Sequence, residues 1–142
     1  MSQLLSTLYV SSAVKHFTIP ELDTLLEVSR HNNQPAGITG MLLYKDGHFM
    51  QALEGSQKAV REVLARIAAD PRHGRIVTLT ETWANEREFP DWTMGFENLD
   101  DPAARQRSGF SEFLNLPFTG REFAEDPSLA KRLLASFKQK AL

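Results

Sequence analysis

The sequence predicts an α+β fold: a ferredoxin-like βαββαβ(β) sandwich with a C-terminal pair of short helices covering the other sheet face. Three observations predict it. Strand-like and helix-like stretches follow one another in that order over residues 4–97. Two strand-like runs flank Asp46-Gly47, a favoured tight-turn pair, which makes them a hairpin. The first strand is apolar on both faces, as a central strand covered on both sides must be.

That first strand is LLSTLYV, Leu4 to Val10. TIPELDTLLEVSRHNN opens the first helix: Thr18 and Glu21 have capping-box spacing, and Pro20 suits a first turn. Leu22, Leu25, Leu26 and Val28 give it an apolar stripe. GITGMLLYKDGHFMQALEG is the hairpin. Ser56 is the expected N-cap of QKAVREVLARIAAD, where Val60, Val63, Leu64 and Ile67 recur at helical spacing and Pro71 stops the helix. RIVTLTETW is a fourth strand and FPDWTMGFE a fifth. Both helices are expected on one face of an antiparallel sheet. Leu4, Leu8, Met50 and Ala52 make the other face apolar too, so it needs a cover. Past Phe96, Phe110, Phe113, Leu114 and Phe118 offer one, as do Leu129, Leu133, Leu134 and Phe137 after an Asp126-Pro127 helix start. Packing under the sheet is favoured over a dimer contact.

The bulk properties exclude several functions. A chain of 142 residues, 42% apolar and 24% charged, suits one soluble domain with a sizeable core. Its net charge of -2 gives no reason to expect nucleic-acid binding. The absence of cysteine removes disulfides, thiolate nucleophiles and cysteinyl-adduct chemistry. No apolar run approaches the ~20 residues of a membrane span. MSQLLSTLYVSS lacks the basic start of a signal peptide, so a cytoplasmic protein is expected. His16, His31, His48 and His73 show no metal-ligand spacing. GITG is not followed by GK[ST], and neither G-x-S-x-G nor HExxH occurs. Hydrolase and nucleotidyl-transfer chemistry are without support, and no enzyme activity is expected.

The unusual residues are few. In HFMQALEG, alternation puts Gln51 between Phe49 and Leu53 on one strand face. A buried amide without partners costs roughly 1–3 kcal/mol, so something must bond it, unless the other face is the buried one. Tyr9, late in a central strand, either bonds locally or gives an electron or proton to something buried. Asn32 and Asn33 stand where the first helix is expected to end. That role explains one asparagine; two amides suit a flat heterocycle with alternating carbonyls and N–H groups. Arg66 and Asp70 share a helix face as a surface ion pair, but Asp70 opposes the helix dipole there and so suits a ligand. Trp92, Met94 and Phe96 share a face of the last strand, a stripe that is usually core.

LYVSS, SRHNNQPAGITGMLLYKDGHFMQALEG, RIAADPRH and FPDWTMGF, in this order over residues 2–97, resemble the BLUF domain, a blue-light sensor. The tail resembles that of short, single-domain members, implying a flavin-binding unit over residues 1–97 and a helical extension over 98–142. The resemblance implies non-covalent FAD, with FMN or riboflavin as substitutes. It makes Tyr9 the electron donor to the excited flavin and Gln51 the amide between phenol and ring. Asn33 would hold the flavin's carbonyl edge beside Asn32, and Leu25 and Ile67 would clamp the ring. Arg66, Asp70 and His73 would line the site, with Ser11 and Phe49 completing it. Trp92 and Met94 would approach the glutamine. Tyr9 would give an electron and then a proton, and recombination would leave the Gln51 amide rearranged and the absorption shifted to the red. The implied partner is a downstream signalling protein, reached through the last strand and the C-terminal helices. A homo-oligomer, dimer or higher, is expected, with no nucleic acid and no membrane. The rival reading is a light-independent ferredoxin-like module for ligand binding or oligomerisation. An acylphosphatase-like hydrolase needs a phosphate-cradling loop that SSAVKHF does not supply.

Overall fold

The computed structural model describes residues 3–45, 47–90 and 93–98. The expected C-terminal helices lie outside the described residues, as does Trp92. The elements are β1 (Leu4–Ala13), α1 (Ile19–Ala36), β2 (Thr39–Lys45), β3 (His48–Gly55), α2 (Gln57–Ala69), β4 (His73–Ala84) and β5 (Gly95–Asn98).

They form one five-stranded sheet in the order β4-β1-β3-β2-β5. The first four strands pair antiparallel, as a ferredoxin-like fold requires. β5 adds to the free edge of β2 in parallel, so the sheet is mixed rather than wholly antiparallel. β5 also starts later than expected, and Met94 precedes it instead of lying within it.

Both helices lie on one face. Leu22 and Leu26 of α1 and Val60 of α2 join Leu5, Tyr9, Phe49 and Leu53 of the sheet in one buried cluster. The other face is buried as well, at Leu8, Val10, Met41, Leu43, Met50 and Ala52. β1, β2 and β3 are therefore core on both sides, and their near-continuous apolar runs follow from that. β4 is an edge strand and is mostly exposed or half-buried.

The capping box of α1 forms as expected: Thr18 accepts from the Glu21 N–H, and Glu21 accepts from the Thr18 N–H. The helix does not end at Asn32 and Asn33. It continues through Pro35 and ends on Gly37, whose φ of 69° is left-handed. Pro35 is tolerated because it sits in the last turn and removes only one backbone bond there. Gly37 then supplies the terminating conformation that asparagine was expected to supply. Val28, expected in the core stripe, is 54% exposed.

Candidate functional site

A cavity of about 190 Å³ lies against the helix-covered face of the sheet. The strands give it Tyr9, Leu42, Phe49 and Gln51 as a floor. α1 contributes Leu25, Val28, Ser29, Asn32 and Asn33, and α2 contributes Val63, Arg66 and Ile67. Asp70, Arg72 and His73, from the turn into β4, complete it.

Tyr9 and Gln51 are direct cross-strand partners in the β1–β3 register, so their side chains leave the sheet side by side. The Tyr9 hydroxyl donates to Gln51 Oε1. At its other end the amide donates from Nε2 to the Met94 sulfur, at 3.3 Å. The amide is 6% exposed, and both of its ends are bonded, which resolves the difficulty of a glutamine on a core face. The two bonds are unequal: a thioether is a weak acceptor, so the Nε2 end is the more readily released. Burial pushes the Tyr9 phenol well above its ordinary pKa. It therefore keeps its proton at neutral pH. A register shift in the β1–β4 pairing falls between Leu8 and Tyr9, where bulges often re-aim residues.

Behind Gln51 the chain before β5 is tied to α1. Asn33 Nδ2 donates to the Thr93 carbonyl at 2.9 Å, and Arg30 Nε donates to the Met94 carbonyl at 2.9 Å. Asn33 is buried and lines the cavity. At the other side Ser11 Oγ lies 3.1 Å from His73 Nδ1. Phe49 packs against the His73 ring, with centroids 5.2 Å apart. Asp70 bonds Arg72 in a fork, with Nη2 at 2.7 Å and Nε at 3.1 Å. The Arg72 guanidinium chiefly holds the Asp70 carboxyl down at about 2. Burial chiefly pushes His73 below the ordinary histidine value, and the Asp70 charge opposes the shift.

Most of the residues singled out in the sequence meet here. Tyr9, Leu25, Asn32, Asn33, Phe49, Gln51, Arg66, Ile67, Asp70 and His73 all line the cavity. Ser11 stands one step back, against His73. Met94 is buried against Gln51, while Trp92 lies outside the described residues. The expected Arg66–Asp70 pair is replaced by Asp70–Arg72, because Asp70 is the C-cap of α2 and has left the helical face it was to share with Arg66. Arg72 is the principal residue the sequence reading missed, and its spacing of two from Asp70 was the available signal. Val28, Ser29, Leu42 and Val63 were not singled out as site residues.

These walls fit a flat heteroaromatic ring. Leu25 and Ile67 bring aliphatic surfaces from the two helices, and Asn33 offers a polar amide at the ring's edge. The exposed Arg66 and Arg72 suit a phosphate beyond it. The family model for BLUF, described as sensors of blue-light using FAD, matches residues 4–95.

The chain belongs to the BLUF family.

BLUF domains are flavin-binding blue-light sensors. Among the chain's relatives, subunit beta of a photoactivated adenylate cyclase from Euglena longa is 34% identical over 94 residues. That match takes in 66% of this chain and 11% of the relative. The blue light- and temperature-regulated antirepressor BluF of Escherichia coli K12 is 31% identical over 87 residues, which are 61% of this chain and 22% of BluF. The chain thus spans a small part of the curated relatives it matches. Two solved BLUF structures match nearly end to end. The dark state of BlrB aligns with a TM-score of 0.74 at 31% identity, covering 96% of this chain and 98% of BlrB. The photo-activated state of BlsA aligns with a TM-score of 0.76 at 25% identity, covering 95% and 94%. Among the described residues, no helix is long and apolar enough to cross a membrane.

Proposed function

We propose that this chain is a blue-light photoreceptor that holds FAD without a covalent bond and signals by rearranging the Gln51 amide. FMN and riboflavin carry the same ring and substitute for it. The observation that carries the reading is the run Tyr9 hydroxyl, Gln51 amide, Met94 sulfur along the cavity floor. Leu25 and Ile67 clamp the ring, Asn33 and Asn32 hold its polar edge, and Arg66, Asp70 and His73 line the rest of the site. Ser11 steadies His73, and Phe49 packs beside it. When bound, the flavin supplies light absorption and an excited state that accepts an electron.

Tyr9 is the donor. An oxidised phenol is strongly acidic, so its proton leaves along the existing bond to Gln51 Oε1. Return of charge to Tyr9 leaves the amide free to settle in either of two poses. An amide has one donor end and one acceptor end, so exchanging them changes what Tyr9, the ring edge and Met94 can bond. Loss of the Nε2 bond releases Met94, and the change passes into β5 and the residues beyond it.

The output is a partner protein and not chemistry in this chain. Relatives named as cyclase subunits and as an antirepressor carry the match within much longer proteins, which supports a sensor role separate from the effector. Residues 1–97 are the sensing unit and 98–142 the extension that meets the partner, in a cytoplasmic homo-oligomer.

The test is an absorption spectrum of the purified protein before and after blue light, then during recovery in the dark. A yellow protein with a small reversible red shift is expected. Gln51→Leu and Tyr9→Phe should keep the flavin and lose the shift. A colourless protein after refolding with FAD would sink the reading in favour of a light-independent binding module.

A further inference from the structure

We infer that Glu54 is a positioning residue for the Gln51 switch, acting through the segment that carries Met94. The inference rests on the Gln51 reading above and adds a residue to it. Glu54 lies three residues after Gln51 on β3, on the opposite face of the sheet, away from the cavity. It is only 2% exposed. Its carboxylate accepts three bonds: from the Glu88 N–H at 2.6 Å, the Phe89 N–H at 3.0 Å and the Thr39 hydroxyl at 3.0 Å. Arg87 closes the cluster, donating to Thr39 Oγ1 at 2.7 Å and to the Glu54 carbonyl at 3.3 Å.

Residues 88 and 89 begin the connection that leads to Met94. One end of that connection is held by Glu54. The other end is held by Gln51 on the Met94 sulfur, by Arg30 on the Met94 carbonyl and by Asn33 on the Thr93 carbonyl. β3 thus grips the same run of chain twice, at points about 10 Å apart along the strand. Four residues separate Phe89 from Met94, and the first of them, Pro90, has its own φ fixed by its ring.

A buried carboxylate is costly, and a hydrophobic residue is the usual occupant of such a site. Here the charge is matched by two main-chain N–H groups of an irregular segment. What Glu54 fixes is therefore the place where that segment starts, and with it the position at which Met94 meets Gln51. The Glu88 and Phe89 anchor is indifferent to the Gln51 pose, whereas the Met94 contact depends on it. The segment behaves as a strap with one permanent and one releasable end.

The test compares wild type, Glu54→Gln, Met94→Ala and the double variant, by two readouts. A glutamine in place of Glu54 turns an N–H₂ toward one of the two backbone N–H groups and breaks the grip. In the dark and without flavin, the Met94 methyl resonance should move and the amides of residues 88 and 89 should exchange faster. With flavin bound, recovery from the red-shifted form should slow about fivefold or more, because the dark pose loses a well-placed acceptor. In the Met94→Ala background the same Glu54 change should alter recovery by less than about twofold. Equal effects in both backgrounds, or an unmoved Met94 methyl, would overturn the inference. Thr39→Val removes one Glu54 partner and keeps the carboxylate. It should move both readouts in the same direction by less, and it decides the matter if Glu54→Gln does not fold. A wild-type protein without any light-induced shift would refute the Gln51 reading, while the methyl and exchange measurements would still decide whether Glu54 positions Met94.

Discussion

The Met94 sulfur is the weaker of the two partners that hold the Gln51 amide. Met94 fills core volume at 1% exposure and also accepts from Nε2. Leucine keeps the volume and discards the acceptor. Met94→Leu should therefore change unfolding free energy by less than about 1.5 kcal/mol, as volume-conserving swaps do. The same change should alter dark recovery, since one pose of the amide loses its partner; stability by denaturant melts and recovery by absorbance separate the two. His73 supports a pH prediction. Its folded pKa lies below the ordinary 6.5, so the unfolded chain binds more protons as the pH falls through that value. Stability should be fully present above about pH 6.5 and decline below it. His73→Asn should flatten that decline in thermal melts between pH 7 and 5. A profile equally steep in both proteins would remove His73 as the cause. Asp70 acts lower: its contribution is complete above 3.8 and is lost as the pH falls to about 2.

The elements differ in how plainly the sequence announced them. Local chemistry was legible. Thr18 and Glu21 capped α1, Ser56 capped α2, and Gly47, at a φ of 76°, lies between β2 and β3. Each of these is a short-range rule that tertiary packing had no reason to override. Features set by distant chain were not legible. The parallel docking of β5 on β2 follows anchors at residues 87–89 and 93–94, and Glu54 gave no sign of them in HFMQALEG. Asn33 read as a terminator although the local signal, Gly37, stood only four residues further on. The site was legible where it rests on residue type, as at Tyr9 and Gln51. It was harder to read where it rests on a turn, as at Arg72, whose only signal was its spacing of two from Asp70. One element-level consequence is sharp. A Cβ at Gly40 would lie 1.9 Å from the Ala52 carbonyl oxygen, so β2 can approach β3 only with glycine there. That neighbour is backbone and cannot rotate away. Gly40→Ala should destabilise the fold by about 2 kcal/mol or more, within or above the range for overpacking. A melting curve matching wild type would show that the hairpin shifts freely.

At the scale of the described sheet, the proposed Gln51 switch predicts a side that stays quiet and a side that responds. β4 and β1 share the longest pairing, from Leu4↔Ala84 to Ala13↔His73, and neither the Tyr9 nor the Met94 bond of the Gln51 amide crosses it. β2 and β5 share only four register pairs, Met41↔Gly95 to Tyr44↔Asn98, immediately after the Met94 contact. A signal cannot exceed the free-energy difference between the two amide poses. A few hydrogen bonds of ~1 kcal/mol each bound it at ~1–3 kcal/mol, enough to change a partner's affinity about 5–150-fold. A difference of that size cannot remodel a sheet buried on both faces, but it can loosen a four-residue strand at its edge. Hydrogen exchange under continuous blue light should therefore rise at the β2–β5 pairs, by up to the factor that ~1–3 kcal/mol allows. Exchange at the β1–β4 pairs should stay at its dark value. Uniform acceleration across the sheet would mean that light loosens the fold as a whole, and unchanged β5 amides would mean that the signal leaves Gln51 by another path.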